Sequence, residues 1–119
     1  MQNLKSKKGG NPSVTEVVRC KIPATEIKVS NHALNRYKQR ILQRDISDEE
    51  LRQIIREQVA NGVEVEHKSP ADAVKALMSH NYERATYYRK SGVVYVLSKD
   101  NTVLTVHRGE AQKWRPVTN

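Results

Sequence analysis

The sequence predicts an α+β fold, with two N-terminal helices packed on a C-terminal antiparallel sheet. Three observations carry this. Two capped amphipathic segments fall between residues 30 and 62. The last third holds three β-rich runs separated by two tight turn signals. Helical and strand-like stretches are also segregated along the chain, which places helices on one side of an antiparallel sheet. At 119 residues the chain has the size of one ordinary domain. That domain is assigned to residues 14–119, behind a flexible basic arm at residues 1–13.

The elements follow in order. Residues 1–13 are polar and carry Lys5, Lys7, Lys8 and the Gly9-Gly10 pair, the composition of a flexible arm. Its lysines either add phosphate contacts or are simply solvated. Residues 14–22 are rich in β-branched side chains and read as a first strand, interrupted by Pro23. Residues 26–29 are a second short extended piece or a lead-in to the first helix. Ser30 is the N-cap of that helix, which runs to about Leu42 with Leu34, Tyr37 and Ile41 on its core face. Ser47 and Glu50 form a capping box, and Ile46 and Leu51 a hydrophobic staple. Leu51, Ile54, Ile55 and Val59 then give the second helix its apolar stripe. Asn61-Gly62 ends it, with Gly62 suited to a left-handed C′ position. Residues 63–67 alternate apolar and polar, as a strand does. Residues 70–79 read as a short helix with Ser69 as N-cap and Pro70 at N1, or else as a longer loop with one helical turn. Residues 83–89, 93–97 and 102–108 are extended runs. Ser91-Gly92 and Lys99-Asp100-Asn101 are the turns between them, which makes an antiparallel meander. Residues 110–119 form a basic tail, with a turn of helix around Trp114.

Composition narrows the function. The net charge is +8 and the isoelectric point about 9.8. Such an excess favours polyanions: RNA, possible DNA, or less often an acidic protein or membrane surface. The single cysteine, Cys20, excludes an internal disulfide and a cysteine-based metal site, and reads as an ordinary buried thiol. No run approaches the roughly 18 apolar residues of a membrane span. The N-terminal lysines are followed by no apolar stretch of a secretory signal. A cytoplasmic protein without membrane contact is the expectation. The core, lacking phenylalanine, is to be built from Ile, Val, Leu and Tyr.

The chemistry concentrates in Ser30-Asn31-His32-Ala33-Leu34-Asn35-Arg36-Tyr37-Lys38-Gln39-Arg40. His32, Arg36 and Arg40 are spaced i,i+4 and share one helix face. They combine a group that titrates near neutrality with two permanent cations. Taken alone, His32 is equally a helix-start histidine, and Arg36 and Arg40 a solvated face. Lys38 and Arg44 extend the basic run, which holds no acid between residues 30 and 44; a solvated face ordinarily mixes both signs. No metal-ligand spacing is present among His32, His67, His80 and His107, nor a glycine-rich phosphate loop or nucleophile elbow. No metal and no cofactor are therefore expected. RNA offers a reaction that suits such a set, because its own 2′-hydroxyl attacks the adjacent phosphorus. His32 is the candidate for proton transfer, and Arg36 and Arg40 for holding phosphoryl oxygens. On the last strand, two-residue alternation puts Val103, Thr105 and His107 on one face and Leu104 and Val106 on the other. Thr105 and His107 are lesser catalytic candidates, or else line the solvent side of a sheet. Tyr88, Arg89 and Arg108 join Lys38 and Arg44 as candidate nucleic-acid contacts. Tyrosines in such runs are equally ordinary strand residues.

The run Ser30-x-His32-Ala33-Leu34-x-Arg36-x-x-x-Arg40, followed by Ile46-Ser47-x-Glu49-Glu50-Leu51, resembles a small family of uncharacterised bacterial and phage proteins. Tyr87-Tyr88-Arg89, Val93-Val94-Tyr95-Val96 and Val103-Leu104-Thr105-Val106 are similar to the strands that close its members. The resemblance spans about residues 27–109. That family is in turn similar to the RelE-like and barnase-like ribonuclease superfamily. The resemblance implies a RelE/barnase-like α+β fold and a metal-free endoribonuclease, a toxin or a phage-encoded factor, with an antitoxin or host protein as partner. His32, Arg36, Arg40 and Thr105 match it position by position. A non-enzymatic nucleic-acid-binding protein and a small inhibitor or adaptor of a host protein are the alternatives.

Overall fold

A computed structural model of the protein describes residues 16–42, 44–79 and 83–118. The arm expected at residues 1–13 lies outside these, as do His80 and Tyr82. The fold is α+β, with three helices and a six-stranded mixed sheet. The helices are α1 (Asn31–Arg40), α2 (Asp48–Ala60) and α3 (Pro70–Ser79). The strands are β1 (Lys28–Val29), β2 (Val63–His67), β3 (Thr86–Lys90), β4 (Val93–Leu97), β5 (Thr102–Arg108) and β6 (Trp114–Pro116). They lie in the order β1-β5-β4-β3-β2-β6. Only the β1–β5 pairing is parallel.

Local chemistry sets the boundaries. Each helix begins at a serine whose hydroxyl accepts a hydrogen bond from a first-turn amide. Ser30 accepts from Ala33 at 3.0 Å, Ser47 from Glu50 at 3.1 Å and Ser69 from Asp72 at 3.3 Å. Each cap satisfies an amide that has no partner inside its helix. Between β3 and β4, Ser91 and Gly92 take φ values of 52° and 77°, so the two-residue turn follows the right-handed twist of the strands it joins. Asn101, at φ 65°, makes the corresponding bend before β5.

The sheet divides the core in two. On one face, Ala33 and Leu34 of α1 and Leu51, Ile55 and Val59 of α2 pack against Tyr88, Tyr95, Leu97, Val103 and Val106. On the other, Val65, Val94 and Trp114 form a smaller cluster with Tyr87 against it. All five residues of β4 are buried, because it is covered from both sides.

Five expectations are corrected. The sheet is mixed rather than purely antiparallel, since β1 pairs in parallel with β5, although β3, β4 and β5 do form the expected meander. Residues 14–22 form no regular strand in their described part; Val17 and Arg19 make isolated bridges to Thr118 and Val63. The cause is competition: β6 occupies the edge of β2 from Val65 to His67, so the incoming chain bonds to that segment only at Gly62 and Glu64, and otherwise to Val117 just past β6. Trp114 begins a strand rather than sitting in a helical turn, because its register partner His67 places it against β2. Gly62 is not left-handed, as Gly92 is the positive-φ glycine among the described residues. Its role is space, since a Cβ there would lie 3.2 Å from the Tyr88 Cβ and 3.2 Å from the Val59 carbonyl oxygen. Finally, a bulge breaks the alternation of β5. Val96 pairs with Thr105 and Leu97 with Val103, which leaves Leu104 as the extra residue. Val103 therefore joins Val106 on the helix side instead of sharing a face with Thr105 and His107.

Candidate nucleic-acid site

β1 is only two residues long, so most of the β5 edge is left without a strand partner. Side chains of the α1 segment close it. The Ser30 amide donates to the Val103 carbonyl at 3.1 Å, and the Ser30 hydroxyl to the Leu104 carbonyl at 3.2 Å. One α1 length further on, Arg40 Nη1 donates to the Val106 carbonyl at 3.0 Å. Arg108 Nη2 answers from β5 with a 2.7 Å bond to the Arg40 carbonyl. Helix α1 is thereby fixed along the sheet edge. Leu34 points into the core, and His32, Arg36 and Arg40 point past the edge towards the face that α1 and α2 leave uncovered.

On that face lies a cavity of about 840 Å³. His32, Arg36 and Arg40 form one wall, and Thr105, His107 and Arg108 of β5 adjoin it. Asp72, Lys75, Ala76 and Ser79 of α3 stand opposite. His67, Tyr87 and Trp114 close the far end, with Glu110 and Lys113 beside them. Arg36, Arg40, Arg108, Lys75 and Lys113 thus meet two carboxylates, Asp72 and Glu110. Glu110 is engaged by Lys113 at 3.4 Å. The field in the cavity is positive, and its concave walls concentrate it.

Two arginine–histidine pairs define the basic wall. Arg36 Nε lies 3.4 Å from His32 Nε2. Arg40 Nη1 lies 3.2 Å from His107 Nδ1. Arginine carries donors and no acceptor, so in a hydrogen bond of either pair the guanidinium donates and an unprotonated ring nitrogen accepts. The wall therefore presents imidazoles next to permanent cations, with Thr105 adding a hydroxyl.

The aromatic end is tightly packed. His67 and Trp114 have ring centroids 4.2 Å apart at 33°, and Tyr87 meets the His67 ring edge-on at 5.1 Å. Burial lowers the His67 pKa, and Asp72 partly opposes this. Burial also raises that of the Tyr87 hydroxyl.

Of the residues singled out in the sequence, His32, Arg36, Arg40, Thr105, His107 and Arg108 share this cavity, and four do not. Lys38 pairs with Asp48 at 2.5 Å, and it lines a separate depression with Arg44. Arg89 Nε donates to the Gly109 carbonyl at 2.9 Å, which ties the end of β5 to β3. Tyr88 is 8% exposed and sits in the helix-side core, where burial, with Cys20 and Glu64 nearby, pushes its hydroxyl up to about 12. Its neighbour Tyr87 occupies the cavity instead, as strand alternation requires. His67, Trp114, Lys75 and Lys113 were not anticipated. Alternation along β2 puts His67 on the face of Val65, which is a usable signal for that residue. The place of Trp114 depends on a pairing between segments far apart in sequence.

Among the described residues, no three His, Cys, Asp or Glu side chains cluster as metal ligands would. No helix there is long and apolar enough to cross a membrane. Comparison with protein-family models, with curated proteins and with solved structures returned no match.

Proposed function

We propose that the cavity binds RNA and cleaves it without a metal, as an endoribonuclease. The observation that carries this reading is the pair of histidines, each with an arginine beside it, at the wall of one positively charged cavity. A phosphodiester drawn in by that field takes up the guanidinium of Arg36, since a charged oxygen is a stronger acceptor than an imidazole nitrogen. His32 Nε2 is then released as a proton acceptor. It takes the proton of the 2′-hydroxyl while the 2′-oxygen bonds to phosphorus and the bond from phosphorus to the 5′-oxygen breaks. His107, as the imidazolium that forms once the phosphate takes over the Arg40 guanidinium, gives its Nε2 proton to the departing oxygen and is left neutral, and Arg36, Arg40 and Arg108 hold the phosphoryl charge. The products are a 2′,3′-cyclic phosphate and a 5′-hydroxyl. Thr105 contributes a hydroxyl to the same phosphoryl group.

The resemblance of residues 27–109 to proteins similar to RelE-like and barnase-like ribonucleases supports the same reading. It extends the proposal to a toxin or phage-encoded factor whose partner is an antitoxin or a host protein. The test is incubation with RNA in EDTA, followed by analysis of the product ends. Cyclic phosphate ends, lost in His32→Ala with RNA affinity retained, are the expected result. A positioned acid or base contributes about 10²–10⁴-fold in rate, so the loss is large. Intact RNA after prolonged incubation, with binding preserved, overturns the catalytic reading and leaves a non-enzymatic RNA-binding protein.

A further inference from the structure

Phosphate recognition uses only one end of the cavity. The other end is walled by rings, and Lys113 beside them is paired with Glu110. Strand register relates the two ends. Tyr87 pairs with Val96, and Val96 with Thr105, so these side chains lie in one row across β3, β4 and β5. Val94 pairs with His107 in the next row on the same face. Tyr87 is therefore two strand spacings from Thr105, roughly 10 Å, across a floor of the fully buried Val94 and Val96. That span matches the reach of a single nucleotide from its phosphate to the far edge of its base.

We propose that His67, Tyr87 and Trp114 form a nucleobase subsite, so that the ligand of this cavity is a nucleotide and not a bare phosphate or sugar phosphate. This rests on the reading of the basic wall as a phosphate site. Three features support it. The rings line the same cavity as the arginines. Their mutual packing, with centroids 4.2–5.2 Å apart, makes a stiff aromatic surface that loses little freedom when a base stacks on it. A base carries both donors and acceptors at its edge. Lys75 and Ser79 of α3 lie beside the same space and offer groups for that edge.

The experiment compares adenosine 5′-monophosphate with ribose 5-phosphate, which differ only in the base. Trp114 is the single tryptophan of the chain, so its fluorescence reports on the subsite directly. Base–aromatic stacking is typically worth enough for about tenfold in affinity. The expected result is that the nucleotide binds about tenfold tighter and shifts Trp114 emission. Tyr87→Leu then removes this advantage and leaves ribose 5-phosphate affinity unchanged. His67→Leu serves as a second variant if Tyr87→Leu fails to fold. Equal affinity for both ligands overturns the base subsite but leaves the phosphate site standing. A nucleotide advantage that survives both variants also overturns it, since the base then binds elsewhere. If neither ligand binds at low salt, the phosphate site itself is refuted, and this inference with it.

Discussion

Arg36 and Arg40 are one helical turn apart on the same face, yet the structure gives them different tasks, and this can be separated experimentally. Arg40 closes the edge of β5. Replacing it with methionine keeps the aliphatic stem and removes the 3.0 Å bond to the Val106 carbonyl and the 3.2 Å bond to His107 Nδ1. A hydrogen bond involving a charged group contributes about 1.5–3 kcal/mol. The Arg40 side chain is only half-buried, so water replaces part of what is lost and the low end applies, about 1.5 kcal/mol. At about 4 °C per kcal/mol for a domain of this size, Tm falls by about 6 °C. The Arg36 side chain instead meets the His32 ring at the surface. Arg36→Met removes the same charge and should stay within about 0.5 kcal/mol of the parent, or about 2 °C. The assay is thermal unfolding followed by circular dichroism, with both variants in one buffer. The ¹⁵N shifts of His107 supply a second readout, because Arg40 selects its tautomer and Arg36 does not. Equal Tm values for the two variants, or an unchanged His107 tautomer in Arg40→Met, would refute the division of roles.

Three further outcomes follow from the same geometry. RNA affinity should fall linearly on a log–log plot against salt. Each engaged cation contributes about 0.7 to the slope for a single strand, so Arg36→Met should flatten it by about that amount, as measured by fluorescence anisotropy; an unchanged slope places the RNA elsewhere. The His67 pKa is held below the ordinary 6.5, mainly by burial. The folded state then binds fewer protons than the unfolded chain just below that pH, so stability is full above 6.5 and declines as pH falls through it. Tm measured between pH 7.5 and 5 should drop less in His67→Phe than in the parent, and identical profiles count against a buried neutral imidazole. Gly62→Ala should cost about 1–3 kcal/mol by overpacking, since its Cβ would meet backbone oxygens of Val59 and Arg89 at 3.2 and 3.3 Å; a urea midpoint equal to the parent's removes the argument for close approach.

How much of this was legible in the sequence depends on the range of the interactions involved. The caps at Ser30, Ser47 and Ser69 act over three residues, and so could be read locally. The Ser91-Gly92 turn is equally local, which is why the β3–β4 hairpin was visible. The wider sheet was not, because the pairing of β2 with β6 joins residues 63–67 to residues 114–116, and no short-range pattern encodes it. Residues 14–22 show the converse. Their β-branched composition is strand-like, but the edge they would join is already occupied. Gly62 is a third kind of case: a helix-ending glycine suggests a left-handed residue, whereas the need here is for room beside Tyr88, which arrives from a later strand.

The site follows the same logic. The i,i+4 spacing of His32, Arg36 and Arg40 revealed the basic wall, because a single helix carries it. Thr105 and His107 lie on the cavity face, but the argument from strict alternation also placed Val103 there. The bulge at Leu104 separates them: it turns Val103 into the helix-side core while leaving Thr105 and His107 in register with Val96 and Val94. One extra residue thus lets β5 supply Val103 and Val106 to the core and Thr105 and His107 to the cavity. The choice between Tyr87 and Tyr88 turned on which face of β3 meets the helices, and a sequence of two adjacent tyrosines carries no information on that. Once α1 and α2 claim the Tyr88 face, Tyr87 must lie on the other, where β2 and β6 bring His67 and Trp114. The aromatic end of the cavity is therefore a consequence of how the sheet is completed, and the basic end of how α1 seals its open edge. Their junction over β4 exists only in the folded chain.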